Sequence, residues 1–223
     1  MNAAYHIKGL EIHTYDNPGW GVKYNFKTDD YKSEYWSAFR KMVLIKFHKE
    51  NDFSDSNQDW CSAMGDSIKF TGSGGPLYLG VLLKVFGQWY SKFLIDPGDL
   101  PVTLNLKNPK DMNNLEWLQW YYFDLCNGDW EHTYGIRIEA VEEGWTLNID
   151  ITDTIFQDFE YNGIKKENYH CWVENRVFKG RGSKNTLDLM IGEFRQWMQQ
   201  INTILGYEEL PLGEKNIDPW SCE

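Results

Sequence analysis

Gly128-Asp129-Trp130-Glu131-His132-Thr133-Tyr134-Gly135-Ile136-Arg137-Ile138-Glu139, continued by Gly144-Trp145-Thr146-Leu147-Asn148-Ile149-Asp150-Ile151, is the stretch that decides the fold. Its alternation of apolar and polar residues predicts a turn at Gly128, a strand beginning at Trp130, a tight connection and a second strand. The same pattern occurs earlier, at Gly9-Leu10-Glu11-Ile12-His13-Thr14-Tyr15-Asp16-Asn17-Pro18-Gly19-Trp20-Gly21-Val22. There Leu10 and Ile12 belong on one face, Glu11 and His13 on the other. Asp16-Asn17-Pro18-Gly19 supplies a turn in which Pro18 presets φ and Gly19 accepts a positive φ.

The two stretches correspond in order. Gly135 matches Gly9, and Ile136, Ile138 and Glu139 match Leu10, Ile12 and His13. After a one-residue deletion in the turn, Trp145, Leu147, Ile149 and Ile151 match Trp20, Val22, Tyr24 and Phe26. Further along, Phe178-Lys179-Gly180-Arg181-Gly182 matches Phe70-Thr71-Gly72-Ser73-Gly74. Leu187, Met190, Ile191, Phe194, Trp197 and Met198 then match Leu79, Leu82, Leu83, Phe86, Trp89 and Tyr90, each set at the i, i+3, i+4, i+7 spacing of an amphipathic helix. Two hairpins and two helices repeated in the same order indicate an internal duplication. Gly72-Ser73-Gly74-Gly75 before a helix lacks the Gly-Lys-Ser/Thr ending of a phosphate loop; it reads as a strand-to-helix connection with glycines at positive φ.

Between the repeats, Ser33–Lys41 reads as a short helix, Met42–His48 as a strand and Asn51–Asp59 as polar loop, with further strands at Cys61–Met64 and Ile68–Thr71. Residues 95–112 hold three of the seven prolines and read as a linker. A helix over 113–126 follows, capped by Asn113 or Asn114, with a stripe of Leu115, Leu118, Tyr122 and Leu125, and Gly128 as a left-handed stop. The first repeat has no counterpart to it: either that helix was lost, or helix 113–126 serves both sheets. The expected organisation is α+β, two related units of antiparallel sheet plus C-terminal amphipathic helix: 1–94, linker 95–112, 113–205, and a peripheral tail 206–223.

Composition narrows function. With 42% hydrophobic residues, 16% aromatic residues and 11 Trp, the chain can bury a core. A net charge of −11 argues against nucleic-acid binding, which needs cations to replace counterions, and suits a basic partner. The four cysteines, Cys61, Cys126, Cys171 and Cys222, form no Cys-x-x-Cys pair, so no zinc or redox motif is visible. The start of the chain is unlike a signal peptide, and the longest apolar run, Met42–Ile45, is too short to span a membrane. The expected location is the cytoplasm.

At these residues the chain resembles the immunity protein 53 family of bacterial polymorphic toxin systems. The second repeat carries Leu115-Glu116-Trp117-Leu118 and the Asp129–Glu139 string; the first carries Thr14-Tyr15-Asp16-Asn17-Pro18-Gly19-Trp20 and Phe70-Thr71-Gly72-Ser73-Gly74-Gly75-Pro76. Each departs where the other conforms: in the second, Glu142-Glu143-Gly144-Trp145 replaces the Asp-Asn-Pro-Gly-Trp turn and Ser183-Lys184 replaces Gly-Pro, and the first lacks the Trp-Glu pair. The resemblance implies a small α+β protein that binds and neutralises a cognate toxin, with no catalysis of its own; no cofactor or metal is expected. Such toxins are often nucleases, hence basic.

Candidate partner-binding residues are Trp130, Glu131, His132, Glu139, Glu142, Glu143, Glu11, His13 and Asp16. Glu131 is either a carboxylate for a toxin cation or a bridge to backbone amides, with Trp130 as a core plug. Asp16 belongs equally to a structural turn. Glu11 with His13, and Arg137 with Glu139, share strand faces, but the exchange of His13 for Glu139 is a poor way to preserve a metal site. The rival readings are a hydrolase using Glu131 with His132 or Glu139, and an interaction module whose second copy gives a dimer-like surface within one chain.

Overall fold

The computed structural model describes residues 9–15, 18–25, 42–48, 60–65, 69–90, 108–127 and 129–207. The first half forms strands β1 (Leu10–Tyr15), β2 (Gly19–Asn25), β3 (Met42–His48), β4 (Trp60–Gly65) and β5 (Lys69–Gly74), then helix α1 (Leu79–Tyr90). A 3-10 turn at Pro109–Asp111 leads into α2 (Asn114–Leu125) and α3 (Trp130–Thr133). The second half forms β6 (Ile136–Val141), β7 (Gly144–Asp150), β8 (Ile164–Lys165), β9 (Tyr169–Glu174), β10 (Val177–Ser183) and α4 (Leu187–Leu205).

All these strands lie in one antiparallel sheet of order β3-β4-β5-β2-β1-β6-β7-β10-β9-β8. From the centre outward the two halves have the same topology. Register follows the sequence repeat: Trp20, Val22 and Tyr24 pair with Gly74, Gly72 and Phe70, as Trp145, Leu147 and Ile149 pair with Gly182, Gly180 and Phe178. The sheets of the two copies are continuous through β1 and β6, where Ile12 sits opposite Ile138, its own counterpart. A pseudo-twofold axis therefore runs through that pair.

The helices cover one face. Leu10, Ile12, Trp20, Val22 and Tyr24 are buried there, as are Ile136, Ile138, Leu147 and Ile149. α1 lays Phe86 and Trp89 on Tyr24 and Phe70, while α4 lays Phe194 and Trp197 on Phe178. The glycines of β5 and β10 make room for this packing. A Cβ at Gly72 would lie 2.9 Å from Leu82 Cδ2, and one at Gly180 2.9 Å from Met190 Sδ. Close approach therefore replaces the positive φ expected for the glycine-rich connection; Gly72, Gly74 and Gly19 lie in extended strands.

α2 spans the axis and serves both halves, as the second of the two sequence alternatives has it. Its Gln119 Oε1 accepts from Gly80 N in the first turn of α1 (3.0 Å), and Asn114 Nδ2 donates to Asp188 O in the first turn of α4 (3.0 Å). Toward the sheet, Tyr122 packs edge-on against Trp20, and its hydroxyl accepts from Gly19 N. Being flanked on both sides, α2 buries Trp117, Leu118, Gln119, Tyr121 and Tyr122, which keeps Leu118 and Tyr122 of the expected stripe but leaves Leu115 and Leu125 half-buried. Asn113 caps it in a reciprocal box with Glu116, as the sequence suggests.

One local expectation fails. Trp130–Thr133 is a single helical turn, and the strand begins only at Ile136. Asn127 Oδ1 accepts from the amides of both Asp129 and Trp130, which curls the chain before it can extend. The readings made for Phe26, Ser33–Lys41, Asn51–Asp59, residues 95–107, Gly128 and residues 208–223 lie outside the described residues. No helix among the described residues is long and apolar enough to cross a membrane.

Candidate functional site: a cleft where the copies meet

Strand alternation sends the polar residues of β1 and β6 to the face turned away from the helices. At the axis this puts Glu11 opposite Glu139 and His13 opposite Arg137. Two carboxylates directly opposed repel; Arg137 Nη2 lies between them, 3.3 Å from Glu11 Oε1 and 3.0 Å from Glu139 Oε1. Glu11 Oε1 is also 3.7 Å from His13 Nδ1, which has no hydrogen-bond partner among the described residues. Burial above all, then Lys23, holds the His13 imidazole below its usual pKa despite Glu11, so it is neutral at pH 7.

Tyr15 continues this face. Its ring meets His13 edge-on at 4.8 Å and lies across the neighbouring strand, where a Cβ on Gly21 would come within 2.5 Å of its hydroxyl. Burial, aided by Glu11, raises its phenol pKa. Beside it a cleft of about 600 Å³ opens at the junction of the copies. The first copy lines it with Glu11, His13 and Tyr15; the second adds α3, Arg137, Asn148, Asp150 and Lys179. The junction itself is tied at this end by Thr14, whose Oγ1 accepts from Ile136 N at 2.9 Å.

The short helix α3 forms the rim. Trp130 is 3% exposed, packs against Tyr122 and Tyr134, and donates Nε1–H to Thr152 O at 2.8 Å. Glu131 is 5% exposed and accepts from Asn127 N at 3.0 Å through Oε2. These are the core-plug and backbone-bridging roles, and burial keeps both residues from broad contact with a partner. His132 and Thr133 are exposed. Tyr134 at the cleft edge donates its hydroxyl proton to Asp153 Oδ2 at 2.9 Å, a bond that raises its pKa.

The remaining candidates separate. Glu139 shares Arg137 with Glu11 and is not part of the cleft lining. Glu142 and Glu143 form the two-residue turn between β6 and β7, at the opposite ends of those strands from the cleft, and Glu143 Oε2 meets Arg181 Nη2. Asp16 lies outside the described residues. No cluster of potential metal ligands occurs among the described residues. Burial pushes the Cys61 and Cys171 thiols up to about 12, leaving them protonated and poor nucleophiles at neutral pH. Tyr15, Arg137, Asn148, Asp150 and Lys179 are among the cleft residues outside the sequence candidates. Tyr15 had a signal: an aromatic side chain two residues beyond His13, on the polar face of a strand.

Neither curated proteins nor solved structures give a match to the chain. The sequence model of immunity protein 53 matches it twice, over residues 2–91 and 115–199. These segments cover most of the sequence and supply, respectively, β1–β5 with α1, and β6–β10 with α2, α3 and much of α4. The chain belongs to the immunity protein 53 family and carries the family's sequence as two tandem copies.

Proposed function

We propose that this protein neutralises a cognate toxin by stoichiometric binding, without catalysis, and that the toxin docks over the junction cleft. The observation that carries the reading is the cleft itself. It is a concavity on the sheet face opposite α1, α2 and α4, lined by strand residues of both copies and by α3, and family membership calls for a toxin-binding surface. Three strand carboxylates already have cations of their own, Arg137 for Glu11 and Glu139 and Lys179 for Glu174, and Asp150 accepts from Thr152 N. The exposed acids at the rim, Asp129 beside α3 and Asp153 against Tyr134, are better placed to attract a basic partner. With the −11 charge, this favours a basic, nuclease-type toxin met in the cytoplasm.

The test is co-expression with the toxin encoded beside this chain. The wild-type protein should rescue growth and co-purify with the toxin, and His132→Ala with Tyr15→Ala should weaken both. Failure of the wild-type chain to bind or protect would remove the reading. The hydrolase alternative draws on one fact, that Glu131 and His132 both line the cleft. It requires Glu131→Gln to abolish a measurable hydrolysis while leaving toxin binding intact.

A further inference from the structure

We infer that one chain takes one toxin molecule, at a composite site that neither copy makes alone. This rests on the toxin-binding reading above and concerns its stoichiometry and position. A surface repeated by a twofold axis occurs twice unless it lies on the axis or its chemistry has diverged. Here the cleft lies to one side of the axis, and it is its chemistry that has diverged.

The cleft straddles the β1–β6 junction, so its lining comes from both copies. The pseudo-twofold would generate a second cleft across the axis, and register identifies the residues it would use. The row Arg137, Asn148, Lys179 pairs straight across β6, β7 and β10. Its counterpart is Glu11, Lys23, Thr71 across β1, β2 and β5. His13 is exchanged for Glu139, and Tyr15 for Val141. The counterpart therefore offers Glu, Glu, Lys and Thr where the cleft offers His, Arg, Asn and Lys, and a branched aliphatic side chain where the cleft has a tyrosine. The described residues at the counterpart line no part of the cleft except Glu11. A toxin that recognises one surface meets different donors, charge and shape at the other.

The experiment uses the full chain and the toxin domain encoded beside it, carrying an inactivating substitution, with stoichiometry read by light scattering and affinity by calorimetry. Matched variants separate the two surfaces: Asn148→Ala against Lys23→Ala, and Tyr15→Ala against Val141→Ala, each checked by a thermal melt. The expected result is a complex of one chain and one toxin. Asn148→Ala and Tyr15→Ala should weaken it by about tenfold or more, while Lys23→Ala and Val141→Ala leave it unchanged. Two toxins per chain, or equal losses within each matched pair, would overturn the composite site yet leave toxin neutralisation standing. No complex at all would overturn both.

Discussion

Tyr121 and Tyr122 are neighbours on α2, and only removal of the Tyr122 hydroxyl is expected to lower stability. Tyr122 is fully buried; its hydroxyl accepts from Gly19 N at 3.1 Å and donates to Tyr15 O at 3.3 Å. That one oxygen fastens the axis-spanning helix to the hairpin that carries half of the cleft. Tyr122→Phe keeps the ring against Trp20 but leaves the Gly19 amide buried without a partner. An unsatisfied buried donor costs about 1–3 kcal/mol. At about 2–4 °C per kcal/mol for a protein of this size, a central loss of about 2 kcal/mol lowers Tm by about 4–8 °C. The Tyr121 hydroxyl is buried with no hydrogen-bond partner among the described residues, and burial raises its pKa strongly. Tyr121→Phe removes a desolvated polar atom and should leave Tm unchanged or raise it by about 2–4 °C. Paired urea and thermal melts of the two variants decide the matter. Equal destabilisation by both, or none from Tyr122→Phe, would refute the role assigned to the Tyr122 node.

Gly144 has φ of +151°, and a Cβ there would stand 2.0 Å from the backbone oxygen of Gly182, which cannot rotate away. Gly144→Ala should therefore cost about 3 kcal/mol or more, read as a fall in the denaturant midpoint with little change in slope. The folded pKa of His13 lies below its unfolded value, so the native state resists protonation and the unfolded state takes up the proton first. Its contribution to stability is thus complete above about pH 6.5 and declines as pH falls below that. Burial sets this direction, with Lys23 and Arg137 and against Glu11, so His13→Gln should flatten a stability-against-pH curve as pH falls below about 6.5, without shifting the alkaline side.

Much of the fold was legible because burial writes a period into sequence. Leu10, Ile12, Trp20, Val22 and Tyr24 had to share a face, and the structure buries all five. The equivalence of Phe70-Thr71-Gly72 with Phe178-Lys179-Gly180 survives as strand register. Local polar competition was harder to see. Trp130-Glu131-His132 follows no strand-breaking residue stronger than a glycine, yet the Asn127 side chain takes two amides and winds the segment into a turn of helix. Sequence shows that the glycines of β5 and β10 are unusual but not why: at Gly72 and Gly180 the cause is the close approach of Leu82 and Met190, not a positive φ.

The site was less legible than the fold because it depends on which strand edges meet. Periodicity tells which face a residue occupies but carries no information about the strand beside it. Once β1 and β6 pair, the two exposed edges that separate copies would present become interior, and their amides and carbonyls gain partners. The same pairing forces Glu11 against Glu139, and this opposition gives Arg137 a position that no motif predicts. His13 and Tyr15, unremarkable outward residues of one hairpin, become one wall of a cleft whose other wall lies more than a hundred residues along the chain. Duplication built the surface, and divergence at His13/Glu139 and Tyr15/Val141 made its two sides unlike. The polar residues that the copies do not share, lying nearest the axis they do share, are therefore where recognition has room to be specific.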